Sequence, residues 1–482
     1  MSRAVAIAIG SLAALVAGSS HATLPDAVAR YFKDAGIPLA NVAVVVREAG
    51  APRPLFAHDA DRPMNPASVM KLVTTFAALE LLGRDYRWKT EAFVDGSLDA
   101  TGTLAGNLIL KGYGDPKITI EQWQAFMGNL RARGIRRITG DLVLDRTFFK
   151  LPAHDPAAFD QEPQRPYNVG PDALLVNFKS FRFSFVPDAQ KRRVRVNVEP
   201  PLSEVSVDAL PQLAHGDCGD WRATIGSNFV DRSDTASGSF PGHFARQCGE
   251  RDWYVSLLDH QHYVHGIFGT YFRAAGGEFT GGVRDGRAPR NGTPLAVMES
   301  TPLYDVVRDV NKLSNNVMAR QMFLTLATTR HPPPATVALA TDVVQKWLQE
   351  RKLALPGLVL ENGSGLSRRE RVTAAGLSRL LMAADASPVR DEFASSLAVA
   401  ALDGTLQRRF QDGSVSGQAF LKTGSLEGVR ALAGYVIDAE GRRFSVVAII
   451  NHPNAGRGGA ALDALVGWVY RDARTWDPAL HR

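Results

Sequence analysis

The sequence predicts an α+β protein in which an antiparallel sheet, built from both ends of the chain, is interrupted by a large β-rich insertion. A strand hairpin and a helix occupy residues 41–83, and three further strands and a helix occupy residues 418–470. Short strands separated by turns fill much of residues 84–288. A chain of 482 residues is also too long for one ordinary domain. Together the end segments predict a five-stranded antiparallel sheet flanked by helices.

The N-terminal segment supplies two of these strands and the first helix. Residues 41–48 are apolar and β-branched, a Gly-Ala-Pro turn follows, and residues 55–57 pair back. The helix is predicted to begin with Asn65 as its N-cap and Pro66 in its first position, and to end at Gly83.

The C-terminal segment supplies the other three strands. They are predicted over residues 418–423, 429–438 and 443–451, with Glu440-Gly441 as the turn between the last two. A helical pattern over residues 460–470 then presents an apolar face. It could lie on a membrane surface, but a face of the sheet needs such a cover, which favours a core helix.

The first 22 residues have the pattern of a cleaved signal peptide. Arg3 precedes an apolar run over residues 4–17, and Ser20 and Ala22 are small residues placed as a signal peptidase requires. The run is too short to span a bilayer, and no other segment of the sequence is long and apolar enough. We therefore expect a periplasmic protein with no membrane-spanning segment.

Two cysteines fit an oxidising compartment. Cys218 and Cys248 are predicted to form a disulfide. The alternative is a metal site, since His215 and His243 lie close to them, but cysteine pairs outside the cytoplasm are more often bonded than metallated. The formal charge of +6 suits an anionic cell envelope and is equally compatible with solvated surface. No arginine-rich block with interleaved aromatic residues is present, which argues against a nucleic-acid partner.

The motif Ser68-Val69-Met70-Lys71 predicts a nucleophile and its base. Near the start of its helix, Ser68 has a backbone N–H free to point at a developing oxyanion. Lys71, one turn away on the same face, can reach the serine oxygen. A lysine that accepts this proton must be neutral, and burial or a second cation lowers its pKa. Lys422 is the predicted second cation. Taken alone, the motif is more typical of an ordinary exposed helix, and the start of a helix and the other two motifs reverse that preference.

Two further motifs complete the predicted site. In Ser314-Asn315-Asn316 the Ser314 hydroxyl would relay the proton towards the leaving amine and Asn316 would hold the substrate amide; otherwise Ser314 is a simple N-cap. The strand with Lys422-Thr423-Gly424 can pair with an extended peptide, so that Lys422 and Thr423 grip its carboxylate and Gly424 leaves room. The N–H of Ser425 would supply a second oxyanion donor.

Two other segments favour less specific interpretations. Residues 259–265 contain three histidines but no H-E-x-x-H motif and no carboxylate cluster to complete a metal site. The glycine-rich residues 111–116 lack the Lys-Ser/Thr of a phosphate loop. We therefore expect neither a metal nor another cofactor.

The three motifs in this order are the known signature of penicillin-binding proteins and class A β-lactamases. Over most of the chain the sequence resembles the D-alanyl-D-alanine carboxypeptidase/endopeptidase family, the class C penicillin-binding proteins. The stretches that carry the resemblance are 66–72, 114–116, 312–316, 363–367, 403–406 and 421–424. The long insertion after the nucleophile helix is this family's mark.

The resemblance implies a transpeptidase-like catalytic domain over residues 23–83 and 289–482. It implies an inserted domain II over 84–160 and 255–288, and a β-rich domain III over 161–254. Ser68 would be acylated by peptidoglycan stem peptides, release D-alanine and be hydrolysed, and some family members also cut D-alanyl-diaminopimelate cross-links. β-Lactams would acylate Ser68 as inhibitors. A residue of the insertion reads the diaminopimelate side chain, and Asp145 is the predicted one.

The sequence departs from the family pattern at two positions. Arg320 stands where the family usually has glutamate, and Asn362 where an aspartate commonly precedes Gly-Ser-Gly. We expect both to affect local helix contacts and not the chemistry.

Two alternative functions are open to the sequence. A class A β-lactamase shares the three motifs, but its Ser-x-Asn follows the nucleophile without so large an insertion. A non-catalytic peptidoglycan-binding scaffold would retain the fold and lose Ser68, Lys71 or Lys422, all of which are present. The large insertion and the presence of all three residues favour a carboxypeptidase/endopeptidase over both alternatives.

Overall fold

The structure is a computed structural model that describes residues 24–476. Its helices are α1 Asp26–Asp34, α2 Lys71–Leu82, α3 Ile120–Ala132, α4 Trp221–Thr224, α5 His260–Ala274, α6 Leu303–Leu313, α7 Asn316–Leu326, α8 Val337–Glu350, α9 Ala374–Asp385, α10 Arg390–Ser396 and α11 Gly459–Asp472. Its strands are β1 Val42–Glu48, β2 Phe56–His58, β3 Lys89–Leu98, β4 Thr103–Gly112, β5 Arg137–Ile138, β6 Leu142–Asp145, β7 Phe181–Asp188, β8 Arg193–Glu199, β9 Val205–Ala209, β10 Gln212–Ala214, β11 Asn228–Asp231, β12 Ala236–Ser239, β13 His243–Ala245, β14 Arg251–Val255, β15 Glu278–Phe279, β16 Val283–Asp285, β17 Ala296–Glu299, β18 Ala398–Val399, β19 Ala419–Leu426, β20 Val429–Ile437 and β21 Arg443–Asn451.

One antiparallel sheet joins the two ends of the chain, in the strand order β18-β19-β20-β21-β1-β2. The five predicted strands are confirmed. A sixth, β18, pairs only with Phe420 and Leu421 of β19, and its two residues are too few to leave a pattern in the sequence. Strand β19 extends to Leu426, further than predicted, so that the Lys422 motif lies within the strand and not at its end.

Helices cover both faces of this sheet. Alternate residues of each central strand point to opposite faces: in β21, Val447 and Ile449 pack in the core that contains α2 and α7, while Val446 and Ile450 pack in the core that contains α1 and α11. Helix α11 buries its apolar face there, which confirms the predicted covering role. On this face α9 lies against β1 and β21, and the 3₁₀ turn of residues 67–70, which leads into the buried helix α2, lies against β19 and β20.

The insertion is rich in strands, as predicted. A seven-stranded sheet contains β3–β6 and β15–β17, and smaller sheets contain β7, β8 and β14, then β9, β11 and β12, then β10 and β13. Residues of the predicted domains II and III, such as Trp123 and Phe183, share one hydrophobic core. Strand β17 pairs with β3 although it follows residue 289. The predicted domain boundaries stay predictions.

A disulfide joins Cys218 and Cys248 across 30 positions. We expect the double substitution Cys218→Ala, Cys248→Ala to lower the free energy of unfolding by about 3–4 kcal/mol, because the disulfide restricts the unfolded chain. The half-buried Cys218 and the buried Cys248 pack against the core of the insertion. The change in stability is measured by thermal unfolding of the oxidised wild type and of the double variant. Equal unfolding midpoints would contradict the prediction.

Candidate active site

Ser68 lies in a tight turn that precedes α2. Residues Ala67–Met70 form a 3₁₀ turn and the α-helix starts at Lys71, later than the sequence predicted. The cause is Ala67, whose φ of 47° is incompatible with an α-helix. The Asn65 Oδ1 atom accepts a hydrogen bond from the Ala67 N–H at 2.9 Å and holds this turn. Since residues i and i+3 eclipse in a 3₁₀ turn, Lys71 comes to lie over Ser68.

Two glycines allow the turn to pack closely against its neighbours. A Cβ atom at Gly365 would lie 2.0 Å from the Ala67 carbonyl oxygen and 2.8 Å from the Ser68 Cα. A Cβ atom at Gly424 of β19 would lie 2.5 Å from the Pro66 carbonyl oxygen. The nucleophile turn is therefore held between the 361–367 loop and β19 by direct backbone contact.

The Lys71 ammonium group is fully enclosed by polar partners. Its Nζ atom lies 3.0 Å from Ser68 Oγ and 2.6 Å from Asn316 Oδ1, and it also donates to the Ser364 carbonyl oxygen. The Lys71 side chain is completely buried, whereas Ser68 is half-buried and open to the cavity. A base at hydrogen-bond distance from a solvent-facing hydroxyl is the geometry that activates a serine nucleophile.

Burial and neighbouring charges favour the neutral form of Lys71. Desolvation lowers the pKa of Lys71 well below its ordinary value, and the positive charge of Lys422 lowers it further. Lys422 is itself completely buried, and desolvation lowers its pKa to about 7. The pair therefore contains a lysine that can accept a proton and a second one that loses its proton near neutral pH.

The Ser314 motif lies between two helices. Ser314 ends α6 with a left-handed φ of 59°, and Asn315 is the N-cap of α7, so the N-cap is not Ser314. The Ser314 Oγ accepts a hydrogen bond from Lys422 Nζ at 2.8 Å. A non-glycine residue with this φ stores strain, which is common at functional sites. The strained corner directs the Ser314 hydroxyl towards Lys422.

Strand β19 presents an open edge next to Ser68. Strand β18 covers only the first part of β19, so Lys422, Thr423 and the residues that follow keep one edge free. Thr423 Oγ1 donates to Thr405 Oγ1 at 2.8 Å, and Lys422 Nζ also donates to the Thr423 carbonyl oxygen at 2.8 Å. This edge can pair with an extended peptide. The Thr405 contact was missed in the sequence, because only the fold brings the two threonines together.

A cavity of about 850 Å³ extends from Ser68 along the insertion. One wall carries Ser314 and Asn316. The opposite wall is formed by side chains of the insertion, mostly aromatic or charged: Tyr167, Phe178, Arg182, Glu199, Tyr254 and Tyr271. The insertion therefore shapes the space in front of the nucleophile.

Asp145 and Ser425, both predicted to bind substrate, lie in different surroundings from the residues described above. Asp145 is 3 % exposed and does not line this cavity. Its Oδ1 accepts from the N–H and the hydroxyl of Thr147, and its Oδ2 accepts from the N–H of Ala288 at 2.9 Å. Ser425 is exposed and lies opposite Arg430 in the sheet. The substrate contact of Asp145 and the oxyanion role of the Ser425 N–H stay predictions.

The two departures from the family pattern lie in the surroundings of Lys71. Arg320 is 8 % exposed, and its positive charge lowers the pKa of Lys71. Asn362 Oδ1 accepts from the N–H and the hydroxyl of Ser364, whose carbonyl oxygen contacts Lys71. The charge of Arg320 therefore acts beyond its own helix, on a lysine far away in the sequence. The expectation that both residues leave the chemistry unaffected stays a prediction.

Comparisons with known proteins identify relatives of this chain. The family model described as D-Ala-D-Ala carboxypeptidase 3 (S13) matches residues 24–471. The chain is 27 % identical over 423 residues to the D-alanyl-D-alanine carboxypeptidase DacB of Haemophilus influenzae, covering 86 % of each chain.

Solved structures share the fold. The chain is similar to the crystal structure of penicillin-binding protein 4 (dacB) from Haemophilus influenzae, with a TM-score of 0.75 and 26 % identity over 93 % of this chain and 99 % of that one. A second structure of that protein, complexed with a β-lactam, gives a TM-score of 0.71 and 25 % identity over 92 % and 99 %. With a serine, two buried lysines and a penicillin-binding fold, this chain belongs to the D-Ala-D-Ala carboxypeptidase 3 (S13) family.

Proposed function

We propose that Ser68 attacks the D-Ala-D-Ala end of peptidoglycan stem peptides and releases the terminal D-alanine. The observation that carries this proposal is the hydrogen bond between Lys71 Nζ and Ser68 Oγ at 3.0 Å, made by a buried lysine whose pKa is lowered. The family assignment supports a serine-type carboxypeptidase. The β-lactam complex of the related structure supports acylation of this chain by β-lactams.

In the acylation step, neutral Lys71 takes the proton of Ser68 Oγ while that oxygen attacks the carbonyl carbon of the penultimate D-alanine. The N–H groups of Ser68 and Ser425 are the proposed donors to the oxyanion. When the carbon–nitrogen bond breaks, Lys71 passes the proton that it took from Ser68 to the leaving amine through the Ser314 hydroxyl, which Lys422 holds by a hydrogen bond, so that Lys71 is neutral again. The open edge of β19 holds the peptide, with Lys422 and Thr423 at its carboxylate.

In the second step, water replaces the leaving amine. Lys71 takes a proton from that water, the hydroxide attacks the ester carbonyl carbon, and Ser68 Oγ leaves and regains its proton. The Asn316 Oδ1 is already bonded to Lys71, so its amide N–H groups are the part that can donate to substrate. The same steps on a D-alanyl-diaminopimelate bond would cut a cross-link, and the wide cavity supports this endopeptidase activity.

We also propose that the protein works in the periplasm. A cell-wall substrate and the Cys218–Cys248 disulfide support this location. The predicted signal peptide, residues 1–22, lies outside the described residues. Over residues 24–476, no helix has the length and apolar character needed to cross a membrane.

The proposed function is tested with two purified substrates, a stem pentapeptide and a cross-linked muropeptide dimer, each digested and resolved by chromatography. We expect D-alanine from the pentapeptide and monomers from the dimer, together with a covalent adduct with fluorescent penicillin. Peptidoglycan binding with neither product nor adduct would instead identify a scaffold. Rapid turnover of the penicilloyl-enzyme would identify a β-lactamase.

A further inference from the structure

A buried carboxylate lies beneath the catalytic lysine. Glu370 is completely buried, and its Oε1 atom accepts three backbone hydrogen bonds, from the N–H groups of Glu361 at 3.0 Å, Asn362 at 2.9 Å and Gly363 at 3.0 Å. Desolvation raises the pKa of Glu370, and these three donors act against that rise because they stabilise the ionised carboxylate. Glu370 therefore fixes the turn formed by residues 361–363.

This turn delivers a carbonyl group to Lys71. The residue that follows it, Ser364, is buried and accepts a hydrogen bond from Lys71 Nζ with its carbonyl oxygen. Asn362 Oδ1 fixes Ser364 through its N–H at 2.9 Å and its hydroxyl at 2.7 Å. A continuous series of contacts thus leads from the Glu370 carboxylate to the amine beside Ser68.

Arg320 is the buried positive charge of this region. It lies on α7, and its guanidinium donates to the Val169 carbonyl oxygen at 3.3 Å. Its Nε atom and the Oε2 atom of Glu370 are both buried without a hydrogen-bond partner among the described residues. Because an isolated buried charge is strongly unfavourable, two opposite charges left partly unpaired in one region stabilise each other electrostatically.

Charged groups from three elements face Lys71. Lys422 on β19 and Arg320 on α7 lower the pKa of Lys71, and Glu370 in the loop raises it. Desolvation lowers the pKa of Arg320, and the negative charges of Glu370 and Glu361 raise it. At Lys71, Glu370 opposes the loss of the proton that desolvation and Lys422 favour, and Arg320 acts against Glu370.

We propose that Glu370 is a positioning residue for the acylation of Ser68, whose carboxylate fixes the turn beneath Lys71, and that Arg320 is the counter-charge that leaves Lys71 free to lose its proton. The inference rests on the proposed function, in which Lys71 is the base. The inference also explains how a buried cation is tolerated at position 320, since the negative charge of Glu370 compensates it.

The test is the rate of acylation by fluorescent penicillin as a function of pH. In E370Q the amide oxygen can still accept the three N–H groups but the negative charge is gone, so the pKa of Lys71 falls and the acid limb moves to lower pH. In R320Q the positive charge is gone and the acid limb moves to higher pH. We expect shifts of about one pH unit each, in opposite directions, with the double variant close to wild type.

Two controls separate charge from structure. R320K keeps the charge and is expected to keep the wild-type profile. E370A removes the charge and also leaves the turn without its acceptor, so we expect the same shift of the acid limb as in E370Q together with a maximal rate about tenfold lower. Shifts in the same direction, or a uniform loss of rate in E370Q and R320Q without a shift, would overturn the proposal. If R320Q does not fold, E370Q alone decides. Absence of acylation in the wild type at every pH would instead refute the proposed function.

Discussion

The substitution Ser68→Ala is expected to abolish the covalent penicillin adduct and to lower D-alanine release by about a thousandfold or more, as for the loss of other serine nucleophiles. The reason is that Lys71 has no other hydroxyl within hydrogen-bond distance among the described residues: its remaining partners are Asn316 Oδ1 and the Ser364 carbonyl oxygen. Gel fluorescence after labelling measures the adduct, and chromatography of stem peptide measures the release.

The matched control is Ser203→Ala, which removes an exposed serine of the insertion and is expected to label like the wild type. The thermal midpoint of Ser68→Ala should stay near that of the wild type, since the Ser68 side chain is half-buried and open to the cavity. An adduct that survives in Ser68→Ala would show that another serine is the nucleophile.

The sequence was sufficient for the parts of the fold that depend on local patterns. Apolar runs bounded by turns predicted β1, β20 and β21 to within a residue or two, and the apolar face of α11 predicted the helix that covers the sheet. The order of the three motifs predicted that Ser68, Lys71 and Lys422 would meet. These residues belong to short sequence motifs, so their chemical roles can be predicted without knowledge of the fold.

The remaining features depend on residues far apart in the sequence. In the 3₁₀ turn at Ser68, Ala67 has a positive φ and its carbonyl group packs against Gly365, almost 300 positions away. Lys71 contacts the Ser364 carbonyl, and Arg320 lowers the pKa of Lys71, also because the fold brings together residues that are far apart in the sequence. A contact made by a backbone carbonyl does not depend on the residue type and so cannot be read from a motif. The burial of an arginine cannot be predicted from the sequence without its neighbours in the fold.

The second large effect is expected from Gly365→Ala. Gly365 has a φ of 81°, and the added Cβ would lie 2.0 Å from the Ala67 carbonyl oxygen, a backbone atom that cannot move without the nucleophile turn. We expect a loss of about 2–4 kcal/mol in the free energy of unfolding. Because Ser68 Cα lies only 2.8 Å from the same Cβ position, we also expect acylation to slow by roughly a hundredfold, the usual effect of a displaced reacting group.

Gly441→Ala is the matched control, since Gly441 has nearly the same φ, 82°, with nothing within 4 Å of an added Cβ. It carries the backbone strain without the steric clash, so we expect a loss of about 1 kcal/mol and an unchanged acylation rate. Thermal unfolding and the rate of penicillin labelling, measured on both variants, separate the two contributions. Equal effects of the two substitutions would mean that backbone conformation alone matters at Gly365. A larger effect confined to Gly365→Ala would mean that this loop presses the nucleophile turn into its reactive geometry, because both glycines have the same φ and differ only in what surrounds them.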